Sequence, residues 1–122
     1  MLAAAGASSQ DRPQRSALEI MEQMTVPASD AIFNITDPPA TNAAWAAAGA
    51  HATTLRESAV LLKADRSRPD DAGWQKEVQV YLDAAEGAIK AIERKNFEAL
   101  TAASDQLGET CVTCHEKFLN KK

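Results

Sequence analysis

Residues that favour strands are scarce in this chain. Only 5% of its 122 residues are aromatic, with one Tyr, two Trp and three Phe, and Val and Ile are thin as well, which speaks against a β-rich core. No apolar run reaches the roughly 20 residues of a membrane-spanning helix, although 45% of the chain is hydrophobic. Positive charge is not in excess: the formal net charge of −4 argues against a nucleic-acid surface, which needs a basic patch. No nucleophile–base pair and no carboxylate cluster on a common face is visible, so no substrate chemistry is implied and the chain does not read as an enzyme. Cysteine and histidine number only two each.

What is plentiful is alanine, the best helix former. The expectation is one all-α domain, large enough to bury a real core. Residues 1–14 are small and polar, and the opening Met1 to Gln10 resembles the small-residue tail of an export signal. This stretch reads as a loose arm or signal remnant, with the folded domain spanning 15–122.

Four helical patterns follow. After Ser16, a candidate N-cap, Leu18, Met21, Thr25, Ala28, Ile32 and Ile35 recur at steps of three and four, the mark of one helix face. Ile20, Met24, Pro27 and Ala31 form a second row beside it. The register carries across Pro27, which predicts one helix kinked there rather than two short ones. Residues 36–41, with Pro38 and Pro39, stop it. Trp45, Ala48, Ala52, Leu55, Ala59 and Leu62 make a strict seam for a second helix. A third, started by Asp70 or Asp71, carries Trp74, Val78, Tyr81, Leu82, Ala85, Ile89 and Ile92 on one face. Asn96 suits the N-cap of a fourth, which reads Leu100, Ala103, Leu107, Cys111, Cys114 and Phe118. Helices of about 20 residues, each about 30 Å long, joined by short turns predict an antiparallel up-down-up-down four-helix bundle.

Both cysteines fall in Cys111-Val112-Thr113-Cys114-His115, the spacing of c-type haem attachment. Two thiols three residues apart can form thioethers to the two porphyrin vinyl groups, and His115 is then held beneath the iron as an axial ligand. Three other readings compete. A redox dithiol usually follows a strand at a helix start, and no strand pattern precedes this one. Zinc wants four ligands, and the other Cys or His in the chain is His51 alone. A disulfide across three residues closes too small a loop to stabilise much. The register also places both cysteines on the buried stripe of the fourth helix, with His115 at its edge, as a haem in the bundle core would require.

With four helices and a C-terminal Cys-x-x-Cys-His, residues 16–119 resemble the class II cytochromes c, the four-helix-bundle proteins that include cytochrome c-prime and its low-spin relatives. The likeness rests on the haem motif in the last helix, Phe118 three residues after the histidine, and a methionine in the first helix. Met21 to Phe33, with Pro27, Asp30 and Ile32, is similar to a branch with a Met six residues before such a proline. The resemblance implies one covalent haem c and a monohaem electron carrier, exported to the periplasm and meeting redox partner proteins. It implies Met21 as distal iron ligand, with Met24 and His51 as alternatives. A five-coordinate iron binding nitric oxide or carbon monoxide is the rival function. Many relatives are dimers through their first two helices. Where the family often has a basic residue four positions after the histidine, this chain has Leu119. That leaves Lys117 or a terminal lysine to supply any charge near the proximal histidine. Arg12 and Arg15 are candidate propionate partners. Trp45 and Trp74 are expected to fill core near the haem or the helix ends.

Overall fold

The computed structural model describes residues 16–66, 68 and 70–119. The arm expected over 1–14, together with Arg12 and Arg15, lies outside the described residues. Those residues form four helices and no strand, compatible with a helical bundle. No helix among them is long and apolar enough to cross a membrane.

The first helix, α1, runs over 17–33 without a break, but it is not uniform. Ser16 starts it with a capping box: its hydroxyl accepts from the Glu19 N–H at 3.1 Å, and the Glu19 carboxylate accepts from the Ser16 N–H at 2.9 Å. This reciprocal pair satisfies two N–H groups with no partner inside the helix. After Ala17–Ile20 the chain widens into a π-helical stretch, Met21–Thr25, and returns to α geometry over Val26–Phe33. Pro27 explains the place of the widening. Its ring clashes with the carbonyl four residues back and it has no N–H to donate, and a wider turn just before it lets the helix continue.

The predicted seam of α1 needs correction. Ile20, Thr25, Ala28, Ser29 and Ile32 are buried, whereas Leu18 is 64% exposed. A π turn adds a residue to one revolution, so positions before it no longer share a face with those after it at steps of three and four.

The second helix, α2, is Asn42–Lys63, capped by the Thr41 hydroxyl, which accepts from the Ala44 N–H at 3.0 Å. All six residues of its predicted seam are buried. The third, α3, is Asp71–Glu93, and Asp70 caps it by accepting from the Gly73 N–H at 3.0 Å. Its buried arc is wider than one seam and takes in Glu77, Ala84, Ala88 and Ala91, because α3 packs against both α2 and the last helix. That helix, α4, is Phe97–Cys114, capped by Asn96 as expected, and it passes into a second π-helical stretch, His115–Leu119. The tight link before it turns at Lys95, whose φ of 52° lies in the left-handed region. The Asn96 N–H reaches back to the Ala91 carbonyl at 2.9 Å and the Lys95 N–H to Ile92 at 3.0 Å, which satisfies the free carbonyls ending α3.

Small residues fill one part of the molecule. Ala48, Ala52, Ala84, Ala85, Ala88, Ala91 and Ala103 are all buried, side chains small enough to let packed helices come close. A Cβ added at Gly49 would stand 3.5 Å from Ile92, an ordinary packing distance. Toward the end marked by Leu62 and Trp74 the helices enclose a space.

Candidate functional site

That space is a cavity of about 510 Å³, within the range of small-molecule and cofactor sites. The first helix contributes Met21, Thr25 and Ser29; α3 contributes Trp74, Val78 and Tyr81. Thr110, Cys111 and Cys114 of α4 face it, as do His115 and Phe118 of the following π-helical stretch. Met21 and His115 each begin a π-helical segment, a backbone form that recurs at functional sites.

The cysteines are less deep than their register predicted. Leu100, Ala103, Leu107 and Thr110 are the buried residues of α4, while Cys111 and Cys114 are free thiols of intermediate burial on the cavity wall. His115 is exposed at the cavity's edge. Met21 is half-buried and lines the cavity. Met24, also half-buried, packs against the core instead, and His51 lies exposed on α2 away from the cavity lining. Of the sequence-derived candidates, Met21, Cys111, Cys114 and His115 are brought together; Met24 and His51 are not.

Two contacts dock the terminal π-helical stretch onto α3. Lys117 Nζ donates to Glu77 Oε2 at 2.8 Å, so that ammonium serves the buried Glu77 carboxylate. Phe118 meets Trp74 edge to face, with ring centroids 5.2 Å apart. Trp74 is itself fixed by its Nε1–H, which donates to the Leu62 carbonyl at 2.8 Å. Above its ring, at 4.1 Å, lies the guanidinium of Arg68, a cation–π contact. Trp74 therefore fills core beside the cavity, whereas Trp45 is buried outside its lining.

Arg68 also pairs with Asp65 at 3.2 Å and lines the cavity. Sequence reasoning missed it. Thr110 and Ser29 were missed too. The Thr110 hydroxyl donates to the Gln106 carbonyl at 2.9 Å. Ser29 is 5% exposed and its Oγ has no hydrogen-bond partner.

The electrostatics bear on the cysteine readings. Burial pushes the Cys111 thiol up from its ordinary range. Burial, then the charges of Glu77 and Cys111, push Cys114 up to about 11. Redox-active dithiols need the opposite, a lowered pKa that populates the thiolate. Among the described residues no group of three or more Cys, His, Asp or Glu stands together as a metal site would need.

These shifts predict an alkaline weakness in the chain with both thiols free. A thiol that ionises near 9 when unfolded but near 11 when folded stabilises the fold fully below pH 9, and that contribution drains away as pH rises through 11. Allowing for solvent screening, a loss of about 1–2 kcal/mol is expected over this window. Urea unfolding at several pH values measures it. A Cys111→Ser, Cys114→Ser chain should lose much less up to pH 10. Tyr81, raised by burial to about 12, adds a later loss in both chains. A native midpoint that is flat between pH 9 and 11 would contradict the assignment.

Comparison of the chain with family models, with curated proteins and with solved structures gives no match.

Proposed function

We propose that this chain is a monohaem c-type cytochrome of the class II kind, which carries single electrons. The observation that carries the reading is one cavity lined by Met21, Cys111, Cys114 and His115 together, residues from opposite ends of the sequence. The fit is chemical as well as spatial. The wall is mainly apolar, its thiols are held neutral, and a thioether and an imidazole both reach it. Bound there, haem c would supply reversible ferric–ferrous exchange of one electron.

The residues divide the work. Cys111 and Cys114 would hold the group covalently through thioethers, and His115 would be the proximal ligand. Met21 would be the distal ligand, and a thioether in that role favours the ferrous state. Val78, Phe118 and the Trp74 ring keep water from the interior. Arg68 brings a guanidinium to the wall, where a propionate carboxylate would find a matched partner. Contacts between Leu62 and Trp74, Ser58 and Tyr81, and Gly49 and Ile92 run in opposite order along α2 and α3, which supports the up-down bundle. Exposed Val60 and Leu61 on α2 and Val26 on α1 leave apolar surface for a homodimer through those helices. Covalent attachment outside the cytoplasmic membrane fits a periplasmic location.

The deciding experiment is expression alongside a bacterial haem-attachment system. Haem should then stay with the chain on a denaturing gel, and be lost when Cys111 and Cys114 are both replaced by serine. The ferrous spectrum should be low-spin and indifferent to carbon monoxide. A chain that leaves the cell without covalent haem sinks the proposal. A high-spin spectrum with immediate carbon monoxide binding replaces the electron carrier with a five-coordinate gas-binding protein.

A further inference from the structure

Thr25 closes the π-helical stretch that Met21 opens, and its side chain reaches out of α1. The Thr25 hydroxyl donates to Ser58 Oγ on α2 at 3.0 Å. Ser58 is wholly buried, and Thr25 is 3% exposed. Ser58 in turn donates to the Leu55 carbonyl at 3.0 Å. A serine hydroxyl has one hydrogen and two lone pairs. With its hydrogen on Leu55, both lone pairs are left to accept, one from Thr25 and one from the Tyr81 hydroxyl of α3 at 2.6 Å. That arrangement satisfies all three bonds at once. Ser58 is a saturated hub to which two helices donate across α2.

Thr25 and Tyr81 both line the cavity, while Ser58 sits behind its wall. On the backbone side, the Val26 N–H bonds the Met21 carbonyl in the five-residue step of the π turn. Such turns are rare and persist where their surroundings over-determine them. Apolar packing at position 25 could bury the same area, but it would leave the turn free to slide or rewind. A hydroxyl bonded to a fixed hub sets both distance and direction.

The geometry points to the Thr25–Ser58–Tyr81 hub as the device that holds this turn wide and so positions the Met21 thioether. These are positioning residues; none of them is assigned to the iron. The inference rests on the reading of Met21 as distal ligand.

The test uses the haem-loaded protein and three substitutions. Thr25→Val keeps the side-chain shape and removes the donor, Thr25→Ser keeps the donor, and Tyr81→Phe removes the second donor, on α3. Thr25→Val should add a high-spin component to the ferrous spectrum and speed carbon monoxide binding roughly five- to tenfold, the effect of one lost hydrogen bond. Amide exchange at Val26 should quicken by a similar factor, a readout independent of the iron. Thr25→Ser should keep native values, and Tyr81→Phe should move all three readouts in the Thr25→Val direction. If Thr25→Val fails to fold, the Tyr81→Phe readouts carry the test.

Met21→Ala is the reference. If that variant stays low-spin, Met21 is not the ligand, and the inference falls together with that part of the functional reading. If it turns high-spin while Thr25→Val retains the native spectrum, binding rate and exchange, the inference alone is overturned. Equal shifts in Thr25→Val and Thr25→Ser would overturn it as well, since retaining the donor would then rescue nothing.

Discussion

On the proposed reading, replacing Met21 by alanine is expected to turn a low-spin, carbon monoxide-indifferent haem protein into a high-spin one that binds the gas to saturation. The thioether is the sole sulfur donor that α1 offers to the cavity lining, and alanine brings neither a ligand nor the bulk to block one. Loss of thioether ligation should also lower the reduction potential, since that ligand favours ferrous iron. The visible spectrum of the ferrous protein, with and without carbon monoxide, reads the first effect, and a redox titration reads the second. Little structural cost is expected to confuse the result, because Met21 is only half-buried. A variant that stays low-spin would redirect attention to Met24 or His51. Either would have to travel: Met24 packs against the core and His51 lies on the outer side of α2.

Leu107→Ala should be a strongly destabilising truncation near the site. Leu107 is wholly buried, one turn before Cys111 on α4, in a place held by packing on α3. Emptying such a position costs about 2–5 kcal/mol, the transfer of the lost carbons plus the hole they leave. That is a large share of the stability of a domain this size. Val112, five residues on, provides the contrast. It is 58% exposed, and its replacement by alanine should change stability by no more than about 0.5 kcal/mol. Urea unfolding of both variants gives the comparison. Equal losses would mean that α4 is not seated on α3 through Leu107.

Much of the architecture could be read from spacing alone, because seams and caps are local patterns. The run from Trp45 to Leu62 is buried at every predicted position, and Ser16, Asp70 and Asn96 each cap the helix assigned to them. The Cys-x-x-Cys-His spacing was equally plain, and its three reactive residues do line one cavity. The π-helical stretches were not legible. They alter the very period on which seams are counted, so Leu18 was placed inside and stands outside. Pro27 was the available signal, and it was read as a kink rather than as a cause for widening the turn ahead of it. The wall of the cavity was only half legible. Thr25 and Tyr81 fell on predicted faces, but Ser58 did not, and a hydrogen-bond hub depends on three helices meeting. Arg68 and the Lys117–Glu77 pair escaped for the same reason: each joins positions that no local period connects.

The clustering of buried alanines at one end of the bundle has a consequence for assembly. Local stability should grade along the long axis, with the slowest amide exchange around the wholly buried Ala52, Ala85 and Ala88 and the fastest around the cavity. Without the proposed haem the chain would then resemble a clothes peg, gripped at the alanine end and able to part at the other. Cys111 and Cys114 could be reached by opening that end alone. The grip that keeps the helices in register would survive, and haem could be inserted into a chain already folded around its place.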